Sequence, residues 1–249
     1  MFSIDTDGPI ATLRLEHGKV NAMDLSLCEA LITQLAALAA HRCRALVITG
    51  AGNSFSAGVD LVQLTQGGAG YVKRFLPVMD AFFSALLTFP KPVVAAVNGH
   101  ALAGGCIIAA CCDHVVMAEG NGRVGVTELV VGVPFPMLPL EIVRARLSPR
   151  DARDLVYSAR AVLPPEALSL GLVDEVVPAA EVLPRAIAAA TRLSAIPEVT
   201  FALTKRACVA PILARVEATA AIDTAVKRAW EGEEVLSAVG AFLEKRAKR

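Results

Sequence analysis

The chain has 249 residues, of which 55% are hydrophobic and 19% charged, and its 24 basic side chains balance 24 acidic ones. A formal net charge of zero gives no general attraction to nucleic acid or to an anionic membrane, and the apolar excess excludes a disordered chain. The length predicts one large domain, or one domain with a small appendage.

One apolar stretch is long enough to span a bilayer as a helix, because residues 93–112 contain no Asp, Glu, Lys or Arg. Its centre carries Asn98-Gly99-His100 and Gly104-Gly105, which predict a break between two shorter elements. The N-terminal segment is acidic and alternating, so no signal peptide is expected. Six cysteines without paired C-x-x-C motifs favour buried thiols and argue against zinc. These patterns predict a cytoplasmic protein with no membrane span and no metal.

The first part of the chain alternates strand and helix patterns. Ser26 and Glu29 have capping-box spacing ahead of the first helix, and prolines at 90 and 92 end the second. The alternation predicts an α/β architecture with crossover connections. In chain order we predict a strand at 10–15, a helix from 26 to 40, a strand at 45–49, a helix at 72–88, a strand at 92–97, a helix at 104–111 and a strand at 113–118.

The second part of the chain becomes helical. Ser148 and Pro149 begin one helix, and later helices are predicted at 164–170, at 181–194, from Pro197, from Pro211 and at 235–249, with a short strand at 172–177. The change near 195 to 200 predicts an α/β body at 1–195 and a helical end piece at 196–249. Such an end piece is too small to fold well alone, so we expect it to pack on the body or on another subunit.

Two glycine-containing turns, residues 54–61 and 98–105, each run from a strand into a helix. Asp60 is placed to cap the helix after the first turn. Glycines allow a ligand close to the backbone, and two such turns facing each other would aim two N–H donors at one oxygen, forming an oxyanion hole. The alternative is that both are ordinary strand-to-helix turns. Neither a phosphate-binding loop motif nor a dinucleotide-binding glycine motif is present.

Glu128 is the unusual acidic residue, because the surrounding segment 124–136 is almost entirely apolar. Desolvation would raise the pKa of this carboxyl, which suits a proton shuttle near neutral pH. The alternative is a structural acid tied to a neighbouring backbone group or arginine. The four histidines are scattered and no nucleophile motif accompanies them, so no hydrolytic triad is expected.

Four motifs in order resemble the crotonase (enoyl-CoA hydratase/isomerase) superfamily. They are FSAGVDL at 55–61, NGHALAGGC at 98–106, Glu128, and GLVDEVVP at 171–178, and the match extends from 19–23 to 241–246. The resemblance implies a spiral of repeated ββα units and a helical C-terminal trimerisation region, giving a homotrimer or a dimer of trimers. It also implies an acyl-CoA substrate, so that coenzyme A is part of the substrate and no separate cofactor is needed.

The resemblance also assigns residues. The oxyanion hole is assigned to the N–H groups of Ser56 and Gly104, and proton transfer to Glu128. The remaining positions are expected to contact coenzyme A or the acyl group: Ser54, Ala57, Gly58, Val59, Asp60, Leu61, Ile107, Thr127, Phe242 and Lys245.

One departure from the family pattern bears on the reaction. Hydratases of this family carry two glutamates, whereas the first of the two positions is Ile107 here. Hydration needs two groups to activate water and deliver a proton, and isoleucine does neither. The sequence therefore resembles the Δ3,Δ2-enoyl-CoA isomerases, which use one glutamate. Two alternatives stay open: a hydratase using His100 or a bound water, and an acyl-CoA-binding protein with little catalysis.

Overall fold

The computed structural model describes residues 1–6 and 8–247, so Lys248 and Arg249 of the basic C-terminal cluster lie outside the described residues. Within these described residues, ten strands form two sheets, one of six strands in the order β1-β2-β3-β5-β7-β10 and one of four in the order β4-β6-β8-β9. The strands are β1 (Phe2–Asp5), β2 (Ile10–Leu15), β3 (Ala45–Gly50), β4 (Ser54–Ser56), β5 (Val93–Val97), β6 (His100–Leu102), β7 (His114–Ala118), β8 (Val124–Gly125), β9 (Ala161–Val162) and β10 (Glu175–Val177).

Eleven α-helices lie within the described residues. They are α1 (Leu25–Ala40), α2 (Leu61–Leu87), α3 (Gly104–Ala110), α4 (Glu128–Val131), α5 (Met137–Arg146), α6 (Pro149–Ser158), α7 (Pro164–Leu170), α8 (Val182–Ser194), α9 (Glu198–Ala218), α10 (Ala220–Glu231) and α11 (Glu233–Ala247).

A ββα unit occurs three times in succession, as β3-β4-α2, β5-β6-α3 and β7-β8-α4. In each unit the first strand joins the six-stranded sheet and the second joins the four-stranded sheet. Parallel pairing of β3 with β5, and of β5 with β7, stacks the units side by side. The predicted spiral of ββα units is therefore confirmed, and it places the turns after β4 and β6 next to each other.

The central strands are apolar at nearly every position because both faces of the six-stranded sheet are covered. Leu46 and Ile48 of β3 belong to the main core with α1 and α2. Val47 of β3 and Val94 of β5 belong to a second core layer formed with small residues of α8. This two-sided burial explains why the sequence shows continuous apolar runs rather than alternation at these strands.

The C-terminal helices pack on the body. Helices α10 and α11 lie against α2, and α9 lies against α5. Packing on the body was one of the two predicted arrangements. The boundary between 195 and 196 and the trimer stay predictions.

Several predicted boundaries are wrong for local physical reasons. Helix α1 is capped by Asp24, whose carboxylate accepts the Leu27 N–H at 2.7 Å, so Ser26 and Glu29 form no capping box. Helix α2 begins at Leu61, before the helix predicted at 72–88, because the Asp60 carboxylate accepts the N–H groups of Val62 and Gln63; α2 is kinked at Gly68, whose φ is 56° and ψ −156°. Pro211 begins no helix and lies inside α9. The strand predicted at 172–177 is confined to β10.

Residues 93–112 form β5, β6 and α3 rather than one helix, which confirms the predicted break. Within 1–6 and 8–247, no single helix is long and apolar enough to cross a membrane, although a bent pair, Ala179–Ser194 with Glu198–Ala218, meets the criterion by length and composition.

Candidate active site

A cavity of about 240 Å³ lies where the three ββα units meet α5 and the C-terminal helices α10 and α11. Its wall is mostly apolar, and the polar groups are few. Nine of the predicted site residues line it: Ser54, Ala57, Val59, Leu61, Gly104, Ile107, Thr127, Glu128 and Phe242.

Glu128 is the first residue of α4 and lines the cavity with only 9% of its surface exposed. Its Oε2 atom has no hydrogen-bond partner among the described residues. Burial raises the pKa of this carboxyl to about 7, although the backbone N–H groups of Glu128 and Thr127 act in the opposite direction. The carboxyl is therefore able both to take and to return a proton near neutral pH.

Ile107 stands on α3, three residues after Gly104, and its side chain lines the same cavity. It is almost completely buried. Among the described residues that line the cavity, Glu128 is the only carboxylate. The site therefore holds one acidic group facing an apolar wall.

The two glycine turns touch each other. Gly58 has φ +85°, and a Cβ added there would lie 2.8 Å from the Ala103 Cβ and 2.9 Å from the Gly104 nitrogen. A Cβ on Gly105 would lie 2.2 Å from the Ser56 carbonyl oxygen. Glycine is required at these positions because any side chain would push the turns apart.

Ser56 does not line the cavity. Its side chain is fully buried behind the turn, where the hydroxyl donates to the Asn21 carbonyl at 2.7 Å and accepts the Gly58 N–H at 3.2 Å. The predicted role of the Ser56 N–H in an oxyanion hole therefore finds no support in the set of residues that line the cavity.

Val59 does line the cavity, and it forms an isolated parallel bridge with Met23. Met23 donates its N–H to the Gly58 carbonyl at 2.7 Å, and Asp60 donates to the Met23 carbonyl at 2.8 Å. In such a bridge the residue between the two bonded ones, here Val59, directs its own backbone N–H and C=O away from Met23. No acceptor among the described residues takes the Val59 N–H. The Gly104 N–H also lacks an acceptor among them, as expected at the start of a helix.

At the mouth of the cavity, Phe242 of α11 contributes its ring and Arg246 lies over that ring at 5.9 Å. Lys245 points elsewhere and is exposed, so the lining cation is its neighbour Arg246. Gly58 and Asp60 support the first turn from behind rather than line the cavity.

Comparison with known proteins identifies the family of this chain. The model of the enoyl-CoA hydratase/isomerase family matches residues 5–249. The chain belongs to the enoyl-CoA hydratase/isomerase family. The mouse mitochondrial enoyl-CoA delta isomerase 1 is 30% identical, over 81% of this chain and 72% of its own. The crotonyl-CoA hydratase of Syntrophomonas wolfei is 31% identical, over 81% and 78%.

The fold agrees with this membership. The crystal structure of human mitochondrial Δ3-Δ2-enoyl-CoA isomerase superposes with a TM-score of 0.94, covering 99% of this chain and 98% of that one, at 23% sequence identity. That likeness shows the crotonase fold. The two curated relatives carry names of both reaction types, so membership alone gives an enoyl-CoA enzyme without choosing its reaction.

The structure of this enoyl-CoA hydratase/isomerase family member adds lining residues that the sequence analysis did not assign individually to the site: Val20, Met79, Phe83, Trp230 and Arg246. Met79 and Phe83 follow helical spacing that also fits an ordinary core face, and Trp230 comes from a helix more than a hundred residues away from Glu128. His100, considered only as a substitute for the missing glutamate, lines the cavity as well. Among the described residues, no group of three or more His, Cys, Asp or Glu side chains is arranged to hold a metal ion.

Proposed function

We propose that the protein is a Δ3,Δ2-enoyl-CoA isomerase that moves the double bond of a 3-enoyl-CoA into conjugation with the thioester. The observation that carries the proposal is that Glu128 is the one carboxylate among the described residues lining the cavity, and that the apolar Ile107 lines the same cavity. One glutamate is sufficient for moving a proton between two carbons of the same substrate. An apolar neighbour in place of a second acid also leaves no group to activate water, which would otherwise add to the conjugated product.

In this mechanism the backbone N–H groups of Val59 and Gly104 bind the thioester oxygen. Glu128 takes the proton from C2, the C–H electron pair delocalises through the C3=C4 double bond and the carbonyl, and a dienolate forms with negative charge on the oxygen. Glu128 then returns the proton to C4, and the double bond lies between C2 and C3. Loss of one such oxyanion donor typically costs about 3 to 4 kcal/mol.

The environment of Glu128 matches the two halves of this cycle. A carboxyl with a pKa of about 7 is partly ionised at neutral pH, so it accepts a proton without making the return transfer prohibitive. The unpaired Oε2 is the atom available to substrate, because no hydrogen bond to a described residue holds it.

Hydration is the second candidate, and His100 is the observation that favours it. Its side chain lines the cavity, and its Nδ1 accepts the Arg123 N–H at 3.2 Å. This bond places the ring proton on Nε2, which is then free to orient a water. In that case crotonyl-CoA would be hydrated, and His100→Phe would abolish that activity while leaving isomerisation in place.

The test compares 3-hexenoyl-CoA isomerisation and crotonyl-CoA hydration by the wild type, by Glu128→Gln and by Glu119→Gln. Glu119 is an exposed glutamate outside the cavity, so its variant is the matched control. We expect the wild type and the control to isomerise, and Glu128→Gln to lose at least 10³-fold in kcat, of the order expected for an essential proton-transfer group. Full activity of Glu128→Gln would refute the assignment, and faster hydration than isomerisation by the wild type would favour the second candidate. Binding of the thioester without exchange of the C2 proton in D2O would instead indicate a non-catalytic acyl-CoA-binding protein.

We also propose that the enzyme is a cytoplasmic homotrimer or dimer of trimers that needs no cofactor beyond the coenzyme A of its substrate. Exposed apolar side chains on α9 and α10, among them Val199 at 70%, Leu203 at 59% and Ile222 at 56%, support association through the end piece. Light scattering coupled to gel filtration tests the assembly, and a monomer at micromolar concentration would refute it.

A further inference from the structure

Three helices meet at the deep end of the cavity, opposite the mouth where Val20 and Arg246 are exposed. Met79 and Phe83 come from α2, Pro139 from α5 and Trp230 from α10, and all four are buried. None of these side chains offers a charge. The deep end is therefore suited to an apolar tail and not to the polar coenzyme A portion.

Trp230 is held in one position in this wall. Its indole Nε1–H donates to the Pro134 carbonyl oxygen at 2.7 Å, and only 3% of the residue is exposed. Turning the ring away would leave a buried donor and a partly buried acceptor without these partners, which is unfavourable. The indole is thus a fixed surface rather than a movable lid.

An ion cluster lies one helical turn behind the same wall. The Lys227 Nζ is 2.5 Å from the Asp80 Oδ2 and 2.6 Å from the Asp223 Oδ2, and the Asp223 Oδ1 accepts the Met137 N–H at 3.1 Å. Lys227 precedes Trp230 by three residues, Asp80 precedes Phe83 by three, and Met137 begins α5. The cluster therefore joins the three helices that form the deep end.

The Asp80 Oδ1 is buried without a hydrogen-bond partner among the described residues. A buried oxygen without a hydrogen-bond partner lowers the stability of the folded state. An ordinary surface ion pair contributes too little to offset that loss. This loss of stability is consistent with a cluster whose role is to fix the relative positions of the helices it joins.

We propose that Trp230 forms the end wall of the acyl site and that Lys227, paired with Asp80 and Asp223, positions this wall, so that together they limit the acyl chain length the enzyme accepts. The inference rests on the proposed function in one respect, that the acyl tail of a coenzyme A thioester occupies this cavity. Trp230 acts by contact with the tail, whereas Lys227 is a positioning residue.

The first experiment measures binding of saturated hexanoyl-, decanoyl- and tetradecanoyl-CoA by calorimetry, so that it needs no turnover. For the wild type, we expect affinity to stop increasing once the tail reaches Trp230. For Trp230→Leu, affinity should continue to rise by about fourfold for each further methylene that enters the enlarged site. Tyr157→Leu is the control, because Tyr157 is an exposed aromatic residue outside the cavity.

If Trp230→Leu changes the acyl-CoA affinity by the same factor at every chain length, the assignment of Trp230 as the end wall is overturned. Trp230→Phe, which keeps an aromatic ring but removes the N–H, provides the same comparison should the leucine variant not fold, and we expect it to lie between the wild type and the leucine profile. If the enzyme shows no isomerase activity but the affinity profiles of the wild type and Trp230→Leu differ, the result contradicts the proposed reaction and leaves the assignment of Trp230 as the end wall in place. Absence of any acyl-CoA binding by the wild type would overturn both.

The second experiment tests the positioning role through Lys227→Met and Lys227→Arg. Lys227→Met leaves two carboxylates facing each other, so we expect the ratio of tetradecanoyl- to hexanoyl-CoA affinity to rise at least fivefold. In turnover, the same change should appear in KM for long substrates and leave kcat for 3-hexenoyl-CoA within twofold. Lys227→Arg should restore the wild-type ratio. An unchanged ratio in Lys227→Met would refute the positioning role.

Discussion

The protonation of Glu128 should make the stability of this protein fall as pH rises, and Glu128→Gln should remove that effect. The carboxyl has an ordinary pKa of 4.5 and a native pKa of about 7, because burial disfavours its charged form. Between these two values the native state binds a proton that the unfolded state has released. The favourable contribution is complete below pH 4.5 and is lost as pH rises through about 7.

The magnitude follows from the size of the shift. A difference of about 2.5 pKa units corresponds to about 3 kcal/mol at 1.36 kcal/mol per unit. The group is buried, so solvent screening reduces this value little. Glutamine cannot ionise, and any cost of burying its amide is the same at every pH. The free energy of unfolding of Glu128→Gln, minus that of the wild type, should therefore increase by about 3 kcal/mol between pH 4.5 and pH 8.

The assay is urea unfolding followed by circular dichroism at several pH values between 4.5 and 8.5. Equal protein concentrations are used, since association would otherwise alter the apparent stability. The low-pH end provides the baseline for the comparison, because both side chains are neutral there. A difference that stays constant with pH would refute the burial argument, and with it the explanation of why this carboxyl works near neutrality.

Three further predictions concern the same site. The value of kcat/KM for 3-hexenoyl-CoA should rise as pH increases through about 7, because the free enzyme needs Glu128 ionised; a profile flat from pH 5 to 9 would contradict this. Replacing the Val59 amide with a backbone ester should lower kcat by about 10² to 10³ through loss of one oxyanion donor, whereas Val59→Ala, which keeps the N–H, should retain most activity. Gly105→Ala should reduce the free energy of unfolding by about 1 to 3 kcal/mol, because its Cβ would lie 2.2 Å from the Ser56 carbonyl oxygen. Its matched control, Gly240→Ala in α11, has nothing within 4 Å of the added Cβ and should instead stabilise by about 0.5 to 1 kcal/mol.

The sequence predicted those parts of the fold that local patterns determine. The strands predicted at 45–49 and 92–97 are recognisable because burial on both faces leaves an unbroken apolar run. The break at residues 98–100 is recognisable because Asn and Gly punctuate an otherwise apolar stretch. Glu128 stands out because a carboxylate in an apolar segment needs an explanation, and the structure places it in the cavity.

The identity of the proposed oxyanion donors depends on contacts that no local pattern records. Which N–H in the first turn is free is decided by Met23, which occupies the N–H and carbonyl groups on either side of Val59. Met23 lies 36 residues before Val59 in the chain. Ser56 has a plausible residue type and lies in the right motif, but the strand's geometry turns it away from the cavity.

Which C-terminal cation lines the cavity also depends on tertiary packing. Lys245 and Arg246 are adjacent, and on a helix adjacent residues point about 100° apart. The choice between them depends on how α11 is rotated against α2, which tertiary packing sets. Arg246 faces the cavity because Phe242, one turn earlier, packs beneath it.

The same C-terminal helices link the chemistry of Glu128 to the shape of the acyl site. Burial is what raises the pKa of Glu128, and part of the cavity wall comes from Trp230 and Phe242, on helices that pack against α2. A ββα spiral without these helices would leave the cavity open to water on that side, and the carboxyl would be solvated and weakly basic. The end piece is therefore part of the active site whether or not it also joins subunits. In the proposed isomerisation one carboxylate is sufficient for proton transfer, because the wall that excludes water is built from both parts of the chain.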